Sequence, residues 1–234
     1  MQVRRLLAGA YRRNGKPMLA PPLDAAFSDR LVGDLANNGF AVLHNAIIPN
    51  LIDRLVADCR KREEAGEMDR AAIGRDNHHI RETRIRQVDA AWLDGSADGE
   101  AAFLALAEHL RIAINRRLFL GLFEFEAQFL TYPPGGFYKR HLDSLRGERN
   151  RIVSLVLYLN KGWQMSDGGE LDIWNTNDDA SVPAITVQPH AGTLVLMLSE
   201  EIPHAVRPSR ATRRGIAGWF RVNTSTSDRI DPAL

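Results

Sequence analysis

The order of elements predicts an α+β chain: helices come first, then many short strands at close spacing. Such strands would stack as a sandwich or jelly roll, with the helices packed on one face. Three observations carry this expectation. Apolar residues recur at helical spacing between residues 51 and 59 and again between 103 and 118. From about residue 122 the pattern changes to short apolar runs, broken by clusters of Gly, Pro, Asn and Asp. The composition, 44% hydrophobic and 25% charged over 234 residues, is that of a globular domain whose core needs no disulfide staple.

Taken in order, residues 1–27 read as a basic arm ending in MLAPPLD. Its apolar run, Leu6 to Ala10, is too short for a secretory signal, and Arg12 and Arg13 follow at once. Ser28 reads as the N-cap of a short helix carrying Leu31, Val32 and Leu35, which Asn37-Asn38-Gly39 stops. Phe40 to Leu43 read as a strand. Pro49-Asn50 opens a second helix with Leu51, Leu55, Val56 and Cys59 on one face, so Cys59 reads as a core cysteine. Residues 61–82 are charged and glycine-bearing and read as a mobile loop. Its adjacent His78 and His79 do not share a face and read as a solvated pair. A long helix over about 100–117 presents Phe103, Leu106, Ala107, Leu110, Ile114 and Leu118 as one stripe. Strands are expected at 125–132, 137–142, 152–159, 170–175, 184–187, 193–198 and 215–222. The expected organisation is one domain over 28–225, with helical support at 28–121 and the strand core at 122–225, followed by a tail at 226–234.

Charge and motifs exclude several function classes. Thirty Lys and Arg balance 29 Asp and Glu, so bulk electrostatic binding to nucleic acid has no footprint. Charged residues interrupt every apolar run well short of the roughly 18 residues a membrane span needs. The single cysteine excludes an internal disulfide and CxxC sites and fits a cytoplasmic location. No P-loop, GxSxG, HExxH or GxGxxG occurs.

One constellation carries chemistry. In His141-Leu142-Asp143, residues i and i+2 of a strand would aim an imidazole and a carboxylate at one point. His204 follows about sixty residues later, just after an apolar strand. Two histidines and one carboxylate form a facial triad that leaves open positions on an octahedral metal, the arrangement of non-haem Fe(II) oxygenases. An HxD alone is a weak signal, and its neighbours strengthen it. Nine residues after His204 stands Arg213, whose strand phase groups it with Gly215, Ala217 and Trp219. A guanidinium at the end of a row of small side chains, closed by a Trp, describes a slot for a small dicarboxylate. Tyr158, on the strand from Ile152, would offer its hydroxyl to the same carboxylate. Arg214 competes with Arg213 for that role, and strand phase favours Arg213.

These residues resemble the Fe(II)- and 2-oxoglutarate-dependent dioxygenases, in the branch of the hypoxia-sensing prolyl hydroxylases and their bacterial relatives. The resemblance rests on YPPGGFYKRHLD (132–143), LYLNKGW (157–163), GGELDIW (168–174), SEEIPHAV (199–206) and ATRRGIAGWF (211–220), in that order. A fainter match, IRQVDAAWLDG (85–95), and the GFAVLHNAI run extend it to about residues 28–222. It implies a double-stranded β-helix (jelly-roll) core, with iron held by His141, Asp143 and His204. It implies that Arg213 and Tyr158 bind the distal carboxylate of 2-oxoglutarate. Tyr132 and Trp219 would line the co-substrate side, and Arg151 and Tyr138 the substrate side. The cofactor and co-substrates implied are Fe(II), 2-oxoglutarate and O₂, with ascorbate supportive.

The implied reaction couples decarboxylation of 2-oxoglutarate, to succinate and CO₂, with C–H hydroxylation of a prolyl residue in a protein. The resemblance makes a translation factor one candidate partner. The alternatives are the same chemistry on a free amino acid or other small molecule, a non-catalytic metal-binding jelly-roll module, and a nucleic-acid demethylase. Neither nucleic acid nor membrane is expected as a partner.

Overall fold

In a computed structural model of the chain, the described residues are 12–13, 16–17, 25–70, 85–144, 150–175 and 181–223. Within the arm, β1 (Arg12–Arg13) pairs with β2 (Lys16–Pro17). Then come α1 (Ala25–Asn38), β3 (Phe40–Leu43), α2 (Pro49–Glu64), β4 (Asp69–Arg70), β5 (Asp89–Trp92) and α3 (Asp98–Leu118). The strand half comprises β6 (Glu124–Tyr132), β7 (Tyr138–His141), β8 (Arg151–Tyr158), β9 (Leu171–Ile173), β10 (Ile185–Val187), β11 (Leu194–Leu198), β12 (His204–Val206) and β13 (Arg213–Arg221).

Beyond the β1–β2 pair, the described strands form two antiparallel sheets, as the jelly-roll expectation requires. The larger runs β3-β11-β8-β13-β6-β5-β4 and the smaller β10-β9-β12-β7. Period-two alternation divides the large sheet into two faces. Val153, Leu155, Leu157, Leu194, Leu196, Ile216 and Phe220 pack with the apolar faces of the three helices. Tyr132, Tyr158, Val195 and Met197 point the other way and pack with Leu171, Ile173 and Val206 of the small sheet. The helices thus brace one face, and the space between the sheets is left for the site.

Local chemistry explains the helices. In α2, Pro49 sits in the first turn, where its missing N–H costs nothing, and Leu51, Ile52, Leu55 and Cys59 are buried. The α3 stripe of Phe103, Leu106, Leu110 and Ile114 is buried as its spacing predicts, at about 1.5–3 kcal/mol per large side chain. Helix α3 lacks a cap from its own Ala97, but Asp58 of α2 accepts hydrogen bonds from the Gly99 and Glu100 N–H groups. A Cβ at Gly99 would stand 2.4 Å from that Asp58 oxygen, so the contact needs glycine.

Four expectations change. Ser28 lies inside α1, which starts at Ala25, and is not its N-cap. The first part of the expected 61–82 loop is ordered: α2 runs through Glu64, and β4 pairs with β5. A fully buried Glu100 fixes this region by pairing with Arg62, which also reaches Asp94. The rest of that segment, with His78 and His79, lies outside the described residues, as does the 226–234 tail. Strands β5 and β12 were not expected; each has only three or four residues. Among the described residues no helix is long and apolar enough to cross a membrane.

Candidate metal centre and anion slot

Strands β7 and β12 are direct neighbours in the small sheet, and their register sets His204 opposite His141. The ladder shifts between His204 and Val206, an irregularity of the kind that re-aims side chains at sites. Strand β7 ends at His141, so Asp143 projects from the bend that follows and not from the strand. It still converges. Asp143 Oδ1 lies 3.4 Å from His141 Nε2, and Oδ2 lies 3.7 Å from His204 Nε2. One ligand atom from each residue falls within a common 4.8 Å. Adjacent donors around a six-coordinate ion with bonds of about 2.1 Å stand roughly 3 Å apart, so this set fits such an ion after a small contraction.

Nothing in the sequence signals what orients the imidazoles. In each ring Nδ1 faces the main-chain carbonyl two residues back, Lys139 at 2.7 Å and Ile202 at 3.1 Å. A carbonyl only accepts, so each Nδ1 donates to it and each Nε2 is turned toward Asp143. Burial, reinforced by His141, pushes His204 down to about 4, so this imidazole is neutral at physiological pH. Burial opposes charge on Asp143, but His204, His141 and Ser154 outweigh it and hold the carboxyl well below the usual range. Two imidazoles and one carboxylate at a shared point suit a borderline divalent metal with open positions.

The second part of the site lies on β13. Arg213 is 2% exposed, and its Nε donates to the Gly169 carbonyl at 2.8 Å, which leaves the two Nη groups for another acceptor. Among the described residues no carboxylate pairs with it. Its guanidinium carbon lies 4.9 Å from the Tyr132 ring centroid and 5.0 Å from that of Tyr158. The Tyr158 hydroxyl is buried without a well-formed hydrogen bond, and burial pushes it up to about 12, so it stays a neutral donor. A buried cation without a counter-ion beside an orphaned hydroxyl is costly unless an anion completes it. The Tyr132 hydroxyl, raised chiefly by burial, feels both Arg213 and Asp143, which sets it between slot and triad.

Strand alternation sends Arg214 to the opposite face. There it grips Glu63 with two 2.8 Å contacts, while its N–H donates to Asn160. Arg207 pairs with Asp172, and Arg210 donates to the Ser166 carbonyl. Of the four arginines between 207 and 214, Arg213 alone is buried. A cavity of about 180 Å³ lined by Val56, Arg60, Asn160, Trp163 and Arg214 lies on this helix side, away from the triad.

The remaining expected residues form a wall. Trp219 is mostly buried, shares the Arg213 face of β13, and lies under the Arg151 guanidinium at 3.8 Å. Glu126 holds that guanidinium at 2.7 and 2.8 Å. Trp92, about half exposed, meets Trp219 edge-on at 6.4 Å between centroids. Sequence reasoning gave Trp92 no role in the site; its signal was its place in the IRQVDAAWLDG match. Tyr138 stacks on the His141 ring at 3.5 Å and 15°.

Fold, triad and slot together define a metal-dependent oxygenase with a carboxylate co-substrate. The model of the 2OG-Fe(II) oxygenase superfamily matches residues 127–221, a span holding His141, Asp143, His204 and Arg213. The chain is also 42% identical to a solved prolyl-4-hydroxylase of Pseudomonas putida, with a TM-score of 0.74 over 83% of this chain and 98% of that one. This chain belongs to the 2OG-Fe(II) oxygenase superfamily and is an Fe(II)- and 2-oxoglutarate-dependent dioxygenase. Mouse prolyl hydroxylase EGLN3 is 25% identical over 186 residues, 74% of this chain and 76% of that protein. A Trichoplax adhaerens prolyl hydroxylase, solved with a hypoxia-inducible-factor peptide fragment, shares the fold at 24% identity and a TM-score of 0.73, over 84% of this chain and 89% of that one.

Proposed function

We propose that this dioxygenase hydroxylates a prolyl residue within a protein. In this reading His141, Asp143 and His204 hold the iron, and Arg213 with Tyr158 holds the distal carboxylate of 2-oxoglutarate. The observation that carries the substrate class is the 42% identity to the Pseudomonas putida prolyl-4-hydroxylase across nearly all of that chain. The observation that carries the co-substrate role is Arg213, buried, uncompensated and flanked by two tyrosines.

Each residue then has a task. The Lys139 and Ile202 carbonyls accept from the two Nδ1 groups, which would leave both Nε2 atoms to hold the iron. Asp143 supplies the anionic donor. The Arg213 Nη groups and the Tyr158 hydroxyl donate to the far carboxylate, while the Gly169 carbonyl fixes the guanidinium. Tyr132, beside Arg213 and Asp143, would line the co-substrate side. When bound, iron with 2-oxoglutarate and O₂ supplies the oxidant: one oxygen atom enters a substrate C–H bond, the other enters succinate, and CO₂ leaves. Trp219, with Arg151 and Trp92, gives the apolar wall against which a pyrrolidine ring is positioned, and Tyr138 stands at the substrate side of His141.

The partner proposed for testing first is a prolyl-bearing loop of a translation factor, in the cytoplasm, with ascorbate keeping the iron reduced. The test is a mass-spectrometric search for one added oxygen on prolyl peptides from cells with and without the gene. A prolyl site that depends on the gene supports the reading. Succinate release stimulated by free amino acids alone, with no such peptide, shifts the substrate to a small molecule.

A further inference from the structure

Residues 85–87, directly before β5, pair with the strand that carries His141. Lys139 N–H donates to the Ile85 carbonyl at 2.9 Å, Gln87 N–H donates to the Phe137 carbonyl at 2.9 Å, and Arg86 faces Tyr138 in an antiparallel bridge. Two layers of side-chain contact follow from that register. The Arg86 guanidinium carbon lies 5.4 Å from the Tyr138 ring centroid. The Tyr138 ring lies nearly parallel to the His141 imidazole, 3.5 Å between centroids, while His204 stands 4.3 Å away and tilted at 58°.

The Nδ1 hydrogen bond to Lys139 fixes one point of the His141 ring, and a ring held at one point can still tilt about it. A flat neighbour in contact removes that freedom. The same pairing at Lys139 N–H holds the main chain whose carbonyl takes the Nδ1 proton, so residues 85–87 act on His141 through both backbone and ring.

We propose that Tyr138, held by Arg86, is a positioning residue for the His141 metal ligand, a task separate from any contact with substrate. This rests on the reading of His141, Asp143 and His204 as the metal set. The Arg86–Tyr138–His141 column sets the direction of the Nε2 lone pair and slows metal release. The residues just N-terminal to the large-sheet strand β5 thereby couple to the metal centre.

The test loads the full-length protein with Co(II), without 2-oxoglutarate or substrate. It reads the release rate into a chelator and the visible spectrum, which reports ligand geometry. Tyr138→Leu removes the flat contact and releases cobalt about tenfold faster with an altered spectrum, at the low end of the effect of removing a ligand's outer support. Tyr138→Phe keeps the ring and releases cobalt within about twofold of wild type. Arg86→Leu loosens the tyrosine and gives about a threefold increase. It decides the question alone if metal-free Tyr138→Leu does not melt like wild type. Wild-type release and spectrum in both Tyr138→Leu and Arg86→Leu overturn the proposal. Wild-type cobalt binding in His204→Ala instead overturns the ligand set itself, and the column's role falls with it.

Discussion

Replacing Arg213 with alanine tests the slot, and Arg214→Ala is its internal control. The two residues are adjacent but serve opposite faces of β13. Arg213 is 2% exposed and spends only Nε on the protein, at the Gly169 carbonyl. Its Nη groups are left for one carboxylate. Removing one partner of a buried, hydrogen-bonded charge pair costs about 2–5 kcal/mol. At about 1.4 kcal/mol per factor of ten, that raises the 2-oxoglutarate requirement roughly 30-fold to several-thousand-fold. Arg214→Ala breaks the bidentate Glu63 contact, which involves no co-substrate, so it lowers stability and leaves the 2-oxoglutarate requirement within about threefold. Arg213→Lys retains charge but not the planar fork, and falls between alanine and wild type. The assay is succinate release against 2-oxoglutarate concentration, with thermal melting alongside. If Arg214→Ala raised the requirement more than Arg213→Ala, the strand phase and the slot would both be refuted.

Other expectations follow from the same geometry. Gly169 has φ +70°, and a Cβ there would stand 2.9 Å from Arg213 Cδ, so Gly169→Ala raises the 2-oxoglutarate requirement at least tenfold, read in the same assay. His141→Ala and Asp143→Ala each abolish iron-dependent succinate release; full activity in either shows the wrong ligands were chosen. Burial raises the Glu63 carboxyl, but hydrogen bonds from Arg214 and Thr131 outweigh it and hold the group below its ordinary value. A depressed carboxyl stabilises above its unfolded value of about 4.3, and that stability is lost as pH falls through the folded value. Glu63→Gln therefore costs about 1–2 kcal/mol at neutral pH, and urea titrations show the gap closing below about pH 4. A gap constant with pH contradicts this. Burial, then Glu63, pushes the Cys59 thiol up to about 12, so a thiol reagent at about pH 8 leaves the native protein unmodified and labels it once unfolded; rapid native labelling contradicts the buried placement.

Much of this was legible from spacing alone. Alternation on β13 separates Arg213, Gly215, Ala217 and Trp219 from Arg214, Ile216 and Phe220, because strand period is a local property. The α3 stripe was legible for the same reason, with the helical period in place of the strand period. What failed depended on contacts distant in sequence. Nothing near Arg214 announces Glu63, which stands 151 residues away. The placement of Asp143 just beyond the end of β7 left the HxD spacing intact while changing its structural origin. The short β12 was hidden because three residues carry too little alternation to register, yet its pairing with β7 brings His204 to His141. Ser28 shows the opposite error: a good capping residue placed one turn inside its helix. The carbonyls of Lys139 and Ile202 leave no mark in sequence, since every residue has one.

The central claim is that this site hydroxylates a prolyl residue through the His141, Asp143 and His204 metal set. The most direct measurement compares prolyl peptides from cells expressing the wild-type chain with those from cells expressing Asp143→Ala, by mass spectrometry. One added oxygen on a defined prolyl residue, present with wild type and absent with Asp143→Ala, is the predicted result. Identical prolyl peptides in both cells, with succinate release intact in the purified wild-type protein, would contradict the claim.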